Sequence, residues 1–243
     1  MCNAPKIIRG LSFASLHPVQ SSAFLETIPD NPLRTWFDNK KEGRGIMKWD
    51  HYLDVYHEHL QKFVGKEVHV LEVGVHSGGS LDMWRAYFGE KSHVYGIDRQ
   101  EVCKKYENKK ENIRVFIGSQ EDVKFLKEVK KQVSQIDVLV DDGSHNAEHQ
   151  IATLEEMLPY VTPGGVYIVE DVKGILNGFS MYMIGLTSSL NVKDSYTTRF
   201  QKEIESIHFY PFMVVIKKRN TIVREFTARK AGTEWQRISG KRR

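Results

Sequence analysis

Residues 68–98 read VHVLEVGVHSGGSLDMWRAYFGEKSHVYGID. A mostly apolar run, Val68–Val75, stops at a glycine-rich turn. A helical stretch, Leu81–Phe88, follows, and a second apolar run, His93–Ile97, ends at Asp98. Strand, glycine turn, helix and strand make the repeating unit of a parallel sheet, because parallel neighbours need a crossover and a helix supplies it.

The same alternation continues outward. Ile113–Ile117 reads as a third strand, Val123–Val133 as a helix, Ile136–Val140 as a fourth strand, Ala147–Leu158 as a helix and Gly165–Val169 as a fifth strand. Nearly continuous apolar strands point to a sheet buried on both faces. Upstream, Trp49, Tyr52, Leu53, Tyr56, Leu60 and Phe63 recur at spacings of three and four, an amphipathic helix ending near Gly65. Downstream, Ile207–Ile216 and Thr221–Phe226 read as a closing antiparallel pair with Asn220 in the turn. Pro18, Pro29 and Pro32 break residues 1–43 into an arm or cap, which leaves 44–243 as the sheet domain.

Composition narrows the function. The formal net charge of +4 on 243 residues is small, and much of it sits in Lys217–Arg219 and Lys241–Arg243, so no nucleic-acid partner is read from it. No apolar run approaches the ~18 residues of a membrane span. Cys2 and Cys103 make neither a disulfide framework nor a zinc site, which fits a reduced, cytoplasmic protein. The first 25 residues carry Lys6 and Arg9 without an acid, as in organellar transit peptides, but Arg9 interrupts the apolar stretch a secretory signal needs.

In open parallel sheets, ligands collect beyond the carboxyl ends of the strands. Glu72, Gly74 and Ser80 fall at the end of the first, but without the Gly-x-Gly-x-x-Gly spacing of dinucleotide binders. Asp98, 24 residues beyond Gly74, can accept both hydroxyls of a ribose. Gln120 can pair with an adenine edge through its amide. Ser119 shares that position, although a helix N-cap with Asp122 closing the pair is its plainer role.

The densest signal is Asp141-Asp142-Gly143-Ser144-His145 with Glu170-Asp171. Four carboxylates at neighbouring strand ends repel one another, and a hard divalent cation such as Mg2+ would neutralise them. Taken singly, Asp142 and Asp171 could cap helices and Glu170 pair with Lys173. His145 shares the turn with the paired acids and suits a general base. His76 and His149 rank behind it, while His57, His59 and His93 read as helix-surface or strand-edge residues. Phe179, Met181, Tyr182 and Met183 offer either an acceptor wall or core packing.

These stretches resemble the class I S-adenosylmethionine-dependent O-methyltransferases of natural-product pathways. Within that class they resemble the metal-dependent macrolide-sugar enzymes of mycinamicin biosynthesis, with the rhamnosyl O-methyltransferase/cephalosporin hydroxylase group as related sequences. The similarity runs over roughly residues 45–220 and is carried by Leu71–Val75, Ser77–Trp84, Val94–Asp98, Asp141–His145 and the Thr162-Pro163-Gly164-Gly165 turn.

The resemblance implies a Rossmann-like α/β fold: a mostly parallel seven-stranded sheet, helices on both faces and a C-terminal antiparallel strand pair. It assigns the cofactor S-adenosylmethionine to Glu72, Gly74, Ser80, Asp98, Ser119, Gln120 and Asp141. Mg2+ falls to Asp142, Glu170 and Asp171, and catalysis to His145 with Asp142. The implied partner is a small hydroxylated acceptor, and the implied assembly a homodimer or larger. A cephalosporin-hydroxylase activity and a catalytically silent cofactor-binding scaffold are the alternatives. Iron oxygenases usually ask for two histidines and a carboxylate, and these mostly oxygen donors suit magnesium better.

Overall fold

The computed structural model describes residues 4–15, 30–193 and 197–234; Cys2, Pro18, Pro29 and Lys241–Arg243 lie outside them. The chain divides into two compact units, 1–30 and 31–243. The first contains helix α1 (Ala4–Ser15).

Seven strands form one sheet: β1 (Val68–Val73), β2 (Ser92–Asp98), β3 (Ile113–Ile117), β4 (Ile136–Asp141), β5 (Val161–Val169), β6 (Ile204–Tyr210) and β7 (Met213–Lys218). Their order is β3-β2-β1-β4-β5-β7-β6. The first five run parallel, and β7 pairs antiparallel with both β5 and β6. The expected α/β architecture and its antiparallel edge are therefore present. The helices are α2 (Pro32–Asn39), α3 (Asp50–Leu60), α4 (Gly79–Phe88), α5 (Val123–Gln132), α6 (Ala147–Met157), α7 (Gly178–Ser189) and the short α8 (Arg199–Glu203).

Side chains alternate across a strand with period two, so each strand feeds both faces. Val68, Val70, Val94, Val138 and Ile168 pack with Leu33, Tyr52, Tyr56, Trp84 and Phe88 of α2, α3 and α4. Leu71, Val73, Ile97, Leu139 and Val169 pack with Leu126, Leu154, Met157, Phe179 and Met183 of α5, α6 and α7. Phe179 and Met183 are thus core residues, and neither they nor Met181 and Tyr182 line the cleft described below.

The closing hairpin departs from the sequence reading. The chain turns at Pro211-Phe212, not at Asn220, and residues 221–226 form no strand. Pro211 cannot donate to a ladder, and Phe212 takes a left-handed φ of 62°, so the apolar run 207–216 folds back on itself. His59 is likewise not a surface residue: it is buried, with Nε2 2.8 Å from the Tyr210 hydroxyl. Cys103 is a free, buried thiol. Among the described residues no helix is long and apolar enough to cross a membrane.

Candidate active site

The strand order reverses between β1 and β4, and there the crossovers leave a crevice at the carboxyl ends of the strands. A cleft of about 780 Å³ occupies this place. Its walls come from the turns after β1 to β5 and from residues 45–50 and Tyr52.

The turn after β1 depends on Gly74. Its φ is 96°, and a Cβ there would stand 2.0 Å from the Asp142 carbonyl oxygen, so only glycine lets the β1 and β4 turns approach this closely. Asp98 locks the same turn from β2. Its Oδ2 accepts from the amides of Val75 (3.0 Å) and His76 (2.9 Å), and its Oδ1 from Gln100 (2.9 Å). Oδ2 is thus filled by two amides, while Oδ1 retains accepting capacity toward the cleft that Asp98 lines.

Two predicted cofactor residues sit behind the wall. Asp141 is fully buried, and its two oxygens accept from Gln120 Nε2 at 3.0 and 3.1 Å. Burial pushes its carboxyl up to about 7, against the pull of those bonds. Gln120 lines the cleft, but its Oε1 accepts from Ser144 N at 2.7 Å and its Nε2 also reaches Thr153 Oγ1 at 3.1 Å. Both ends of the amide are therefore held by protein groups. Glu72 is fully buried too, accepting from the hydroxyl of Ser80, which does line the cleft.

Ser119 lines the cleft and donates to Glu121 Oε2 at 2.5 Å; it is not the cap of α5. That role falls to Asp122, which accepts from Lys124 and Phe125 amides. Asn146 and Asn177 cap α6 and α7, so neither Asp142 nor Asp171 is spent as a helix cap. Lys173 pairs with Asp171 at 2.8 Å, not with Glu170.

The acid cluster is organised by a residue the sequence reading did not single out. Lys48, on the loop before α3, buries its ammonium among three carboxylates. It donates to Asp142 Oδ2 at 2.6 Å and to Glu170 Oε1 and Oε2 at 3.1 and 3.0 Å, and lies 3.6 Å from Glu72 Oε1. Burial pulls its pKa down, but Glu170, Asp142 and Glu72 outweigh burial and hold it well above its usual range. Burial lifts Glu170 to about 8 and Glu72 to about 7 despite the ammonium. The Tyr56 hydroxyl also donates to Glu170.

Asp171 faces the other side of the cluster. Its Oδ1 accepts from Trp49 Nε1 (3.0 Å) and the Tyr52 hydroxyl (3.2 Å), and its Oδ2 lies 3.5 Å from His145 Nε2. His145 Nε2 is 4.0 Å from Asp142 Oδ1, and ligand atoms of Asp142, His145 and Asp171 all fall within 4.8 Å of one another. His76, His145 and Asp171 each hold a left-handed φ (48°, 55° and 55°), a conformation that costs non-glycine residues energy and gathers at functional sites.

Four carboxylates thus face two ammoniums, Lys48 and Lys173. Asp142 pairs with Lys48 and Asp171 with Lys173, so the formal excess of negative charge belongs to the cluster as a whole and is reduced by the raised pKa values of Glu170 and Glu72; Asp142 and Asp171 turn oxygens to the cleft. Oxygen donors carrying that charge fit a hard divalent cation. Glu170 fits less directly, because Lys48 and Tyr56 already hold both its oxygens.

Residues 71–172 match a family model described as a methyltransferase domain. The chain is 28% identical, over 72% of its length and 52% of the relative's, to 8-demethyl-8-alpha-L-rhamnosyl tetracenomycin-C 2'-O-methyltransferase of Streptomyces olivaceus. It is 32% identical to mycinamicin VI 2''-O-methyltransferase of Micromonospora griseorubida, over 53% of this chain and 32% of that one. Among solved structures, a MycE methyltransferase from the mycinamycin biosynthetic pathway, in complex with Mg and SAH, superposes with a TM-score of 0.65 at 25% identity, covering 81% of this chain and 57% of that one. The chain spans about half the length, or less, of the curated relatives it matches.

Proposed function

We propose, starting from the match of residues 71–172 to a family model described as a methyltransferase domain, that the chain is an S-adenosylmethionine-dependent O-methyltransferase acting on a sugar hydroxyl of a small natural product. The observation that carries this reading is the convergence, in one cleft at the strand-order switch, of the Gly74 turn, Asp98 and the Asp142–His145–Asp171 cluster. Relatives named as O-methyltransferases of a rhamnosyl tetracenomycin-C and of mycinamicin VI support the acceptor class.

In this reading Asp98 receives the ribose hydroxyls of the cofactor, while Gly74 and Ser80 border its methionine end and Ser119 its adenine. Gln120, on the cleft wall, and Asp141 behind it fix the Ser144 amide and thereby the turn that carries His145. Glu72 positions Ser80 and shares Lys48. The bound cofactor supplies a methyl group on a cationic sulfonium, which the excess negative charge of the cleft favours over the neutral product.

His145 Nε2 takes the proton of the acceptor hydroxyl, and the carboxylates at 3.5 and 4.0 Å stabilise the imidazolium that results. Asp142 and Asp171 would hold Mg2+, with Glu170 behind them. When bound, the ion lowers the pKa of an acceptor hydroxyl. Trp49 and Met47, exposed on the cleft rim, offer apolar surface to the rest of the acceptor. A homodimer or larger assembly belongs to the same proposal.

The test is transfer from methyl-deuterated S-adenosylmethionine to a panel of rhamnosylated polyketides, free phenols and carboxylic acids, followed by mass spectrometry. The reading expects a labelled methyl ether on the sugar. Labelling of phenols or carboxylates alone would overturn the acceptor class.

A further inference from the structure

At the opposite end of the sheet from the cleft, the parallel register sets His69 of β1 beside His93 of β2. Side chains two apart on an extended chain share a face, so Glu67, just before β1, joins the two histidines. Their imidazoles stack with centroids 4.5 Å apart and planes within 9°. Ligand atoms of Glu67, His69 and His93 lie within 4.8 Å of one another.

Stacked histidines can be plain packing, but three features go further. Neither the Glu67 carboxylate nor the His93 ring makes a hydrogen bond or ion pair with a described residue, although each is accessible to solvent. His69 is buried, with Nδ1 3.1 Å from the Tyr95 hydroxyl. In the tautomer where Nδ1–H donates to that hydroxyl, Nε2 is left as a lone-pair donor, the outer-partner arrangement usual behind a metal-bound histidine. Burial, with His93 adding to it, also holds His69 below its ordinary pKa, which keeps the ring neutral as ligation requires.

We propose that Glu67, His69 and His93 form a binding site for a borderline transition-metal ion of the Zn2+ type, separate from the acid cluster of the cleft. Two imidazoles and a carboxylate are a zinc-type donor set with one position left for water, whereas the oxygen-rich cleft suits Mg2+. Donor atoms on a tetrahedral ion sit on the order of 3.4 Å apart, given Zn–N bonds of about 2.1 Å. For both in-plane lone pairs to meet one ion the stack must open, so the partly exposed His93 and the exposed Glu67 would turn while buried His69 stays fixed. The ion would fasten β1 to β2 about 15 Å along the strands from the cleft.

The experiment titrates the chelator-treated full chain with Zn2+ by calorimetry and with Co2+ by visible spectroscopy. It compares the wild type with His93→Gln, Glu67→Gln and Asp142→Asn. With excess Mg2+ present to hold the cleft, the expected result is one Zn2+ equivalent and a low-coordinate Co2+ spectrum in the wild type and in Asp142→Asn. His93→Gln should lose at least tenfold in affinity, as should Glu67→Gln, which stands in if His93→Gln fails to fold. Saturating Zn2+ should raise the wild-type Tm by on the order of 5 °C and leave His93→Gln unmoved. Titrations that are identical in the wild type and the folded His93 or Glu67 variant, or a single equivalent that vanishes only in Asp142→Asn, would overturn the site.

Discussion

Lys48 Nζ lies 2.6 Å from Asp142 Oδ2, joining the loop before α3 to the β4 turn across 94 positions of sequence. The same ammonium bridges both oxygens of Glu170, so one cation ties the approach loop to the ends of two central strands. Removing it strands buried carboxylates. Lys48→Met should lower unfolding stability in urea by about 3–5 kcal/mol, the cost of breaking a buried pair. Adding Glu170→Gln to that variant should recover part of the loss. Unchanged stability in Lys48→Met would mean that the carboxylates are already protonated or solvated.

In the proposed function His145 takes the acceptor's proton, while the proposed cofactor contacts lie on other turns. His145→Ala should therefore lower kcat by about 10²–10⁴-fold and leave S-adenosylmethionine affinity nearly unchanged. Paired kinetics and calorimetry decide this. A loss of binding equal to the loss of rate would move His145 from catalysis to cofactor binding.

Asp142 and Asp171 belong to a cluster in which carboxylates outnumber ammoniums and present oxygen donors to the cleft, which predicts a divalent-ion requirement. Turnover should fall in excess chelator and return on adding Mg2+, and Asp142→Asn should blunt that response. Full activity in chelator would remove the ion from the scheme.

Gly74→Ala places a methyl group 2.0 Å from the Asp142 carbonyl at a φ of 96°. The turns after β1 and β4 must separate, at a cost of about 3 kcal/mol. Thermal denaturation with and without cofactor should show a lower Tm and a smaller cofactor-induced rise.

Burial lowers His59 to about 4, with Glu58 opposing and His208, Lys217 and Lys62 reinforcing the shift. Between pH 4 and an unfolded value of about 6.5, the unfolded chain binds the extra proton, so stability rises with pH in that window. The contribution is complete above pH 6.5 or so and is lost on acidification through pH 4, on the order of 2 kcal/mol. His59→Gln should flatten that part of the stability–pH curve. An unchanged slope would show that other groups govern it.

The central sheet was legible because strand and helix have different periods, and the run from Val68 to Val169 switches between them cleanly. The hairpin was misread for a local reason: 207–216 is nearly continuous in apolar character, and Asn220 is a better turn residue in isolation than Phe212. Lys48 carried no signal, since its partners lie 94 and 122 positions away and a single lysine near a tryptophan looks like surface. Strand-end position alone did not separate Asp98, on the cleft wall, from Asp141, one layer beneath it. That difference is set by which face of the turn each side chain takes.

The central claim is that the cleft beyond β1 and β2 holds the methyl donor against Asp98. Calorimetric titration of S-adenosylhomocysteine into the wild type and Asp98→Asn tests it directly. The account predicts one-site binding to the wild type, weakened about tenfold or more in a folded Asp98→Asn, as loss of charge-assisted bonds requires. No binding to the wild type, or equal affinity for the folded variant, would contradict it.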